Sequence, residues 1–335
     1  MMQWAFANRT GEGMGQALRG KAATDLHNAD PRSLVVSIVI NYRGLEQTRV
    51  CVASLLAADY PNHSIVVVDN ASGGLEVDAL REAHGNSIKI ISAERNLGYG
   101  GGANLGLEWA LAAGAVYAWV LNNDTEIGPR SVRQLVDAME RETEYGVMSP
   151  QIDAPIGPES PFGVWYAGGT ADLARVITKH EVVAAGPALA VIPTGYVTGC
   201  AMFLRCKALE QTGLFWAPFF LYWEDVDLSF RMREAGWRLG VVPAARIVHF
   251  VHGSVQSKVV RYYYYRNAVI VASRHLHGRG AARAFMSLAT RALRRLAASL
   301  LKRDGPLPIA ETRGLLAGAA AVLGLRRVDN VAGRE

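Results

Sequence analysis

The sequence is poor in cysteine, and the three that it contains form no pattern. Cys51, Cys200 and Cys206 are odd in number, and their spacing matches neither a disulfide framework nor a zinc site. A small secreted domain stapled by disulfides is therefore excluded as a class. Unpatterned thiols are typical of proteins in a reducing compartment, so we expect a cytoplasmic protein.

Long apolar runs are also lacking. The longest stretch without a charged residue, 182–204, is interrupted by Pro187 and Pro193, which disfavours a membrane-spanning helix. The apolar segment 314–325 is only twelve residues long, whereas a spanning helix needs about 20. The N-terminal residues show no apolar run behind basic residues, so we expect no secretory signal.

Acidic residues are absent from one part of the chain. Residues 274–303 hold eight Lys or Arg and no Asp or Glu, whereas the rest of the chain holds 27 basic and 30 acidic residues. The net charge of +5 is therefore a local basic patch rather than a general property. We expect no nucleic-acid partner.

Strand and helix patterns alternate over the first 150 residues. A continuous apolar, β-branched run at 34–40 predicts a strand that is covered on both faces, and the mainly apolar runs at 64–68, 87–91 and 116–121 predict further strands. Helical spacing predicts helices at 45–57, 75–84, 103–114 and after Pro129. This alternation indicates a parallel sheet with right-handed crossovers.

The remaining chain is less regular. Residues 1–33 are polar and without period, which predicts a disordered extension, and residues 150–196 read as Gly/Pro-rich segments. Further on, the patterns predict a strand at 198–205, a helix at 224–236 and two strands within 238–250. We predict four parts: the extension 1–33, an α/β half at 34–150, a second half of the same domain at 151–270, and a helical basic extension at 271–335.

Polar residues follow three of the predicted strands. Asp69 follows the second strand, a glycine-rich stretch (RNLGYGGGANLG, 95–106) follows the third, and Asn122-Asn123-Asp124 follows the fourth. Any one of these could be a turn or helix cap. Because ligands bind beyond the carboxyl ends of strands in open α/β sheets, three together favour a pocket.

The glycine-rich stretch has two interpretations. Gly98, Gly100 and Ala103 fit the dinucleotide fingerprint, with Asp124 about 20 residues further on, which suggests an NAD(P)-dependent oxidoreductase. However, two strands precede this unit, and six residues (92–97) separate the third predicted strand from Gly98. A loop whose backbone N–H groups approach another ligand is the better interpretation.

Two carboxylate clusters have candidate chemistry. Asn122 and Asp124 alternate on an extended strand end and can face one divalent cation, although an Asx turn explains them equally well. Glu224 and Asp225 open a helix behind the apolar run FFLYW, an environment that suits a general base, whereas acids in a first turn are also ordinary. His249 ends a predicted strand and is either a metal ligand or a structural hydrogen bonder.

In combination and in this order, these motifs resemble glycosyltransferase family 2, an inverting family with the GT-A fold, and especially its bacterial rhamnosyltransferase-like members. The matching text covers about 36 to 270 and includes VSIVINY (36–42), VVVDNAS (66–72), LNNDTEI (121–127) and TGCAMFLR (198–205). The block WEDVDLSFRMREAGW (223–237) is highly specific. The resemblance implies a doubly wound, mixed and mostly parallel sheet with helices on both faces, followed by the helical C-terminal extension.

The resemblance also implies roles for individual residues. Asp225 corresponds to the general base, with Glu224 beside it, and Asp124 and His249 correspond to ligands of Mg²⁺ or Mn²⁺. The first position of the metal motif is Asn122 rather than Asp. The implied nucleotide-sugar site comprises Asn41, Asp69, Asn96, Gly98, Asn104, Asn122 and Asn123. The implied acceptor side comprises Gly199, Trp223, Tyr265 and Arg266.

The implied reaction moves a sugar from a dTDP- or UDP-linked donor, with dTDP-rhamnose favoured, to a cell-surface glycan or lipid-linked acceptor. Two rivals are an oxidoreductase using the Gly98–Ala103 stretch and a non-catalytic nucleotide-sugar-binding module. Residues 279–303 predict an amphipathic helix, which either lies on the inner face of the cytoplasmic membrane or packs on the domain with a solvated basic face. Its predicted apolar face comprises Phe285, Leu288, Leu293, Leu296 and Leu300.

Overall fold

The structure is a computed structural model that describes residues 32–155, 162–182, 190–250, 258–301 and 309–325. Almost all of the predicted extension 1–33 lies outside the described residues, as do the last residues of the predicted C-terminal part. All three cysteines are buried and form no disulfide.

The first half of the chain alternates strands and helices as the sequence predicts. β1, β2 and β4 are mostly apolar and buried along most of their length, which is typical of a sheet covered on both faces. The elements, in chain order, are β1 (Val35–Asn41), α1 (Leu45–Leu56), β2 (His63–Asp69), α2 (Gly74–His84), a 3₁₀ turn (Gly85–Ser87), β3 (Lys89–Ser92), α3 (Gly98–Ala112), β4 (Tyr117–Asn122), β5 (Thr125–Ile127) and α4 (Ser131–Arg141).

The second half contains more strands than the sequence indicates. Residues 150–196, which read as irregular, include parts of five strands, and the two strands expected within 238–250 form one strand with an irregularity between Val242 and Arg246. The elements are β6 (Tyr145–Pro155), β7 (Phe162–Tyr166), β8 (Gly169–Asp172), β9 (Ile177–His180), β10 (Ile192–Pro193), β11 (Ala201–Arg205), α5 (Cys206–Thr212), a 3₁₀ turn (Ala217–Phe219), α6 (Glu224–Glu234) and β12 (Arg238–His249).

One mixed sheet runs through both halves in the order β10-β12-β6-β11-β4-β1-β2-β3. β4, β1, β2 and β3 are parallel, whereas β11 is antiparallel to both of its neighbours, and β6 and β12 are parallel to each other. β5 pairs with β12 and β7 with β6, while β8 and β9 form a separate hairpin. The carboxyl ends of β1, β2 and β4 therefore open on the same edge.

Helices cover both faces of this sheet, as the resemblance implies. Along β1, Val35 and Val39 face a core that includes α1 and α4, whereas Val36, Ile38 and Ile40 face a core that includes α3, α5 and α6. This period-2 alternation divides the buried apolar residues into two layers. The predicted GT-A type of architecture, a mixed sheet between two helical layers, is confirmed.

Three helices follow the sheet. α9 packs so closely on α7 that a Cβ at Gly314 would lie 2.4 Å from the carbonyl oxygen of Tyr262, and one at Gly318 would lie 2.7 Å from that of Arg266. Within the described ranges, no helix is both long and apolar enough to cross a membrane. The helices are α7 (Lys258–His275), which crosses the predicted boundary at 270, α8 (Arg279–Leu301) and α9 (Ile309–Val322).

The helix α8 departs from its predicted apolar face. Leu288 is completely buried against the domain, whereas Phe285 and Leu293 are 42% and 64% exposed. The residues therefore do not share one face. α8 packs through a narrow strip of small residues and Leu288, and it presents a second apolar strip outward.

Candidate active site

The strand register brings three predicted site residues to one edge of the sheet. Asn41 at the end of β1 pairs with Asp69 at the end of β2, and Ile40 pairs with Asn122 at the end of β4. Asn122 is half-buried there, and its backbone N–H donates to the carbonyl oxygen of Cys200 at 3.0 Å. The polar groups that follow separate strands in the sequence thus converge in space.

Asp69 lies at the wall of a cavity of about 400 Å³. Its carboxylate is 3% exposed and accepts hydrogen bonds from Asn41 Nδ2 at 3.0 Å and from the Ser72 N–H at 3.2 Å. Both bonds fix the carboxylate without using all of its acceptor capacity. The other lining residues are Ala71, Gly73, Gly74, Val77, Asp78, Arg81, Ser92, Ala93 and Glu94.

Asn41 and Asn123 stabilise the turn that follows β1. Asn41 Oδ1 accepts from Thr48 Oγ1 at 2.8 Å, and Asn41 Nδ2 also donates to Glu76 Oε2 at 2.9 Å. Asn123 Nδ2 donates to the carbonyl oxygen of Gly44 at 3.2 Å and to Thr48 Oγ1 at 3.0 Å. Their amides bind the chain itself and set the shape of the cleft.

The glycine-rich stretch is not the loop that the sequence predicts. α3 begins at Gly98, five residues before the predicted start at 103, so the glycines form its first turns. Gly98 has φ +75°, and a Cβ there would lie 2.2 Å from the carbonyl oxygen of Phe220. The glycines allow the helix to pack against the segment that precedes α6, and the Tyr99 N–H donates to that Phe220 oxygen at 2.7 Å.

Asparagine side chains fix the entry into α3. Asn70 Nδ2 donates to Asn96 Oδ1 at 3.1 Å and to the Gly98 carbonyl oxygen at 3.0 Å, and Asn96 Oδ1 accepts from the Gly98 N–H at 2.8 Å. Asn104 binds both sides of one residue, with Nδ2 to the Phe215 carbonyl oxygen and Oδ1 to the Phe215 N–H. Asn104 therefore contacts the chain 111 residues away rather than an open cleft.

Asp124 and His249 lie together at the other side of the β4 edge. His249 Nε2 is 3.1 Å from Asp124 Oδ1, and their side chains are 8% and 17% exposed. The pair is brought together because β5 and β12 are adjacent, with His249 opposite Thr125. His249 Nδ1 is buried without a hydrogen-bond partner among the described residues. Within that same part of the chain, no group of three or more His, Cys, Asp or Glu could hold a metal ion.

Glu224 and Asp225 begin α6 but lie in different environments. Asp225 is partly exposed, and its Oδ2 accepts from the Gly199 N–H at 2.9 Å while its Oδ1 accepts from the Val226 N–H at 2.8 Å. Burial raises the pKa of Asp225, and these N–H donors oppose that rise. Glu224 is only 6% exposed, and burial together with the charge of Asp225 raises its pKa to about 8. A solvent-accessible carboxylate thus stands beside a buried carboxylic acid.

A series of contacts links the Asp124–His249 pair to the carboxyl groups of Glu224 and Asp225. The Tyr99 hydroxyl donates to the Gly199 carbonyl oxygen, and the next residue, Cys200, accepts from Asn122. Burial and the nearby charges of Glu224, Asp225 and Asp124 all raise the pKa of Tyr99. Asp124 and Asp225 therefore both lie near the side chain of Tyr99, whose hydroxyl is bonded to Gly199.

The segment before α6 has a strained backbone. Phe220, Tyr222 and Trp223 have φ of 65°, 67° and 73°, values that non-glycine residues rarely adopt. Asn267 Nδ2 lies within hydrogen-bond distance of the carbonyl oxygens of Phe219, Leu221 and Tyr222, at 2.8, 2.7 and 3.0 Å. α7 therefore holds this segment in place from behind.

The other predicted acceptor-side residues belong to the same support. Arg266 is 3% exposed and donates to the carbonyl oxygens of Pro218 and Phe219 at 2.5 and 2.9 Å. Trp223 is buried, and its Nε1 donates to the Tyr264 carbonyl oxygen at 3.1 Å. Tyr265 is 7% exposed and lines a different cavity, between α7 and α8. The structure brings Gly199 to Asp225 and places Arg266 beneath the loop.

Comparison with known proteins decides between the alternatives that the sequence leaves open. The profile described as "Glycosyl transferase family 2" matches residues 37–190, and that described as "Glycosyl transferase family group 2" matches residues 119–310. The chain belongs to glycosyl transferase family 2. It is a glycosyltransferase that uses nucleotide-sugar donors, as the resemblance implies, rather than a dinucleotide-dependent oxidoreductase.

Three named proteins are similar in sequence to this family 2 enzyme. It is 30% identical over 214 residues to the N-acetylglucosaminyl-diphospho-decaprenol L-rhamnosyltransferase of Mycobacterium tuberculosis, covering 59% of this chain and 69% of the relative. It is 27% identical over 220 residues to the low-salt glycan biosynthesis hexosyltransferase Agl10 of Haloferax volcanii, covering 63% and 66%. The galactofuranosyltransferase GlfT1 of M. tuberculosis is 25% identical over 221 residues, covering 64% and 69%.

Two solved structures share the family 2 fold. A crystal structure of GalNAc-T7 with UDP, GalNAc and Mn²⁺ aligns with a TM-score of 0.58 at 15% identity, covering 79% of this chain and 59% of that chain. A structure of S. aureus TarS 1–349 aligns with a TM-score of 0.50 at 13% identity, covering 87% and 92%. At this level of identity the likeness shows the architecture.

Sequence reasoning about this family 2 enzyme missed residues that act through the backbone. Asn70, Tyr99 and Asn267 each contact a carbonyl or amide group of a distant segment. Asn70 had a signal, since it is the polar residue that directly follows β2, and Tyr99 is the one bulky residue inside a glycine run. Asn267 follows the tyrosine run 262–265 in a helix and had none.

Proposed function

We propose that this enzyme transfers one sugar, with inversion, from a dTDP- or UDP-linked donor to a hydroxyl group of a lipid-linked glycan acceptor. The observation that carries the proposal is that the Asp124–His249 pair and the partly exposed Asp225 both lie near Tyr99. An inverting transfer needs a group that stabilises the leaving diphosphate on one face of the sugar and a base on the opposite face. The Asp124–His249 pair is suited to the first role and Asp225 to the second.

The donor nucleotide fits the edge formed by β1 and β2. The cavity of about 400 Å³ beside Asp69 is large enough for a base, and the Asp69 carboxylate can accept hydrogen bonds from a pyrimidine. Arg81 and Ser92 lie at the same cavity wall and offer donors to carbonyl and hydroxyl oxygens. Both uridine and thymidine nucleotides satisfy these groups.

Asp124 and His249 fit a divalent ion such as Mg²⁺ or Mn²⁺. One carboxylate and one imidazole supply part of a coordination shell, which such ions complete with water and substrate phosphate oxygens. The buried Nδ1 of His249, which lacks a partner among the described residues, shows that the ring is not fixed on both sides by structural hydrogen bonds. The ion would neutralise charge on the departing diphosphate.

Asp225 acts as the general base. Its Oδ2 is held by the Gly199 N–H, and its remaining acceptor capacity faces the cleft and receives the proton of the acceptor hydroxyl. Glu224 is protonated at neutral pH and so places no second negative charge beside Asp225. A single displacement needs no protein nucleophile.

The acceptor meets the enzyme at a membrane surface. α8 exposes an apolar strip of Phe285, Met286, Leu293 and Leu296, and the same helix carries the exposed arginines Arg279, Arg283, Arg294 and Arg295. Such a helix lies well at the interface of an anionic bilayer, where lipid-linked sugars are presented. One relative is an N-acetylglucosaminyl-diphospho-decaprenol L-rhamnosyltransferase, which supports rhamnose as the donor sugar here.

Donor binding tests the proposal. We expect titration with dTDP-rhamnose, UDP-glucose and UDP-galactose in Mn²⁺ to raise the melting temperature with one donor, since a ligand at 100 times its Kd adds about 2.7 kcal/mol. Asp124→Asn should lose this metal-dependent shift, whereas the exposed Asp137→Asn should keep it. Stabilisation by NADPH without metal, and by no nucleotide sugar, would refute the assignment.

A further inference from the structure

A second cavity lies between α7 and α8, on the acceptor side of the candidate base. Its volume is about 580 Å³, within the usual range of ligand pockets, about 300 to 1,000 Å³. The sequence patterns do not indicate it, because its residues come from two helices and one loop. They are Tyr222, Val260, Arg261, Tyr264, Tyr265, Arg291, Arg294 and Arg295.

Positive charge in this cavity exceeds the negative charge near it. Among the described residues, Glu311 is the one carboxylate that forms salt bridges with arginines of this cavity. Its side chain is 2% exposed and lies 2.9 Å from Arg295 and 3.4 Å from Arg261. Arg294 has no carboxylate within salt-bridge distance in the described ranges, and its side chain is exposed to the cavity mouth. The cavity is therefore suited to an anion.

Arg291 is held in place by the chain rather than by an acid. It donates through Nη2 to the carbonyl oxygens of Arg175 and Val176 at 2.8 and 3.1 Å. Its Nε is buried and has no hydrogen-bond partner in the part of the chain that the structure describes. A guanidinium fixed in this way is preorganised for an oxyanion, since planar N–H groups match phosphate oxygens.

The cavity is lined by one residue of the loop that leads to Asp225. Tyr222 lines it and lies three residues before Asp225. Trp223 contacts the wall of the cavity, because its Nε1 donates to the Tyr264 carbonyl oxygen. Burial raises the pKa of Tyr196, and the charges of Asp225 and Tyr264 raise it further, so both of these groups lie near Tyr196. An anion bound here would lie near the loop that leads to Asp225.

We propose that this cavity binds the phosphate groups of an acceptor whose sugar is joined to a prenyl chain through a diphosphate. The inference rests on the proposed function and adds the site that recognises the acceptor. A diphosphate supplies several oxygens to the four guanidinium groups, and α8 presents the apolar strip from its other face to the lipid. A phospholipid headgroup shares the phosphate chemistry, so the test separates the two sources.

The test is a titration of the full chain with farnesyl diphosphate, monitored by the change in intrinsic tryptophan fluorescence. Arg294→Gln should raise the Kd for farnesyl diphosphate by about tenfold or more, because it removes a charge-assisted hydrogen bond. Arg294→Lys keeps the positive charge but loses the planar guanidinium, so its Kd should lie between those of the wild type and Arg294→Gln. Arg283→Gln, which removes a charge from the same helix outside the cavity, should bind as the wild type does.

Three further titrations decide the outcome. Farnesol should bind far more weakly than farnesyl diphosphate, and inorganic diphosphate should compete. Equal binding of farnesol, or equal weakening by Arg294→Gln and Arg283→Gln, would overturn the inference. So would vesicles of phosphatidylglycerol that displace farnesyl diphosphate completely while inorganic diphosphate does not.

A parallel titration with nucleotide sugar and Mn²⁺ separates this inference from the proposed function. A wild-type protein that binds the donor but not farnesyl diphosphate overturns the acceptor site and leaves the transferase assignment intact. A protein that binds farnesyl diphosphate but no nucleotide sugar contradicts the proposed function instead.

Discussion

At the scale of single residues, two neighbouring carboxyl groups have opposite properties because of where α6 begins. Asp225 is partly exposed, and its two N–H donors oppose the rise of its pKa that burial causes. Glu224 is buried against the glycine turn of α3, and its Oε2 has no hydrogen-bond partner among the described residues. One residue is therefore fitted to accept a proton and the other to remain neutral.

This difference predicts a pH-dependent stability. Because burial raises the pKa of Glu224 from 4.5 to about 8, the folded state holds a proton that the unfolded state releases. Between those values the free energy of unfolding falls with rising pH, by as much as about 1.4 kcal/mol per pH unit. We expect Glu224→Gln to be increasingly stable relative to the wild type from pH 5 to pH 8 in thermal melts.

The exposed Glu126→Gln serves as the control, and its melting temperature should follow the wild type at every pH. A constant difference between Glu224→Gln and the wild type across this range would show that Glu224 is ionised in the folded protein.

The positions of the charged site residues could be predicted from the sequence, whereas their partners could not. Asp69 and Asp124 directly follow apolar strands, so their place at the sheet edge follows from the strand pattern. Gly199 and Asn104 bind groups 26 and 111 residues away. Such contacts depend on how distant segments meet, which no local pattern records.

At the scale of elements, the loop before α6 depends on α7. Three non-glycine residues with positive φ cost of the order of 1 to 3 kcal/mol each. The amide of Asn267 and the guanidinium of Arg266 bind the loop carbonyl groups and offset that cost. The orientation of Trp223 and the start of α6 follow from this support.

Asn267→Ala should release the loop. We expect a loss of about 1 to 3 kcal/mol in stability, since buried carbonyl groups lose their donor. We also expect a lower kcat with an unchanged Kd for the donor, because the donor cavity at Asp69 does not contact this loop. Chemical denaturation and steady-state kinetics measure both quantities.

Ser273→Ala in the same helix is the matched control, because that hydroxyl bonds only within its own turn, to the Ile270 carbonyl oxygen. If Asn267→Ala lost donor affinity while keeping kcat, the loop would belong to the donor site rather than to catalysis.

Buried helices and strands could be predicted from the sequence more accurately than half-exposed ones. β1, β2 and β4 are continuous apolar runs and were placed within a residue or two. β7 and β9 are half-exposed, with mixed polarity, and carry too little periodicity to be recognised. α3 begins early because its glycines are buried against other segments, a tertiary contact that outweighs their low helix propensity.

At the scale of the whole molecule, the chain combines a near-neutral catalytic body with a basic C-terminal helix. α8 directs arginines into the cavity beside α7 and an apolar strip to the outside. The same element therefore faces both of the proposed parts of a lipid-linked acceptor, its phosphate groups and its membrane.

The membrane contact predicts a defined behaviour with vesicles. The full chain should sediment with phosphatidylglycerol vesicles at low salt and be released at high salt, because its basic flanks are screened. Met286→Glu and Leu293→Glu, at positions 62% and 64% exposed, should abolish sedimentation. Leu75→Glu, at an 89% exposed position on α2, should not change it. Sedimentation that these α8 variants leave unchanged would contradict the orientation.

The most direct test of the central claim measures release of nucleoside diphosphate from the preferred nucleotide sugar, in Mn²⁺, with a prenyl-diphosphate-linked sugar as acceptor. We predict that Asp225→Asn lowers kcat by about 10²- to 10⁴-fold, the usual contribution of a general base. Donor binding by this variant should match that of the wild type and of Asp137→Asn. An Asp225→Asn enzyme that retains the wild-type kcat would contradict the account.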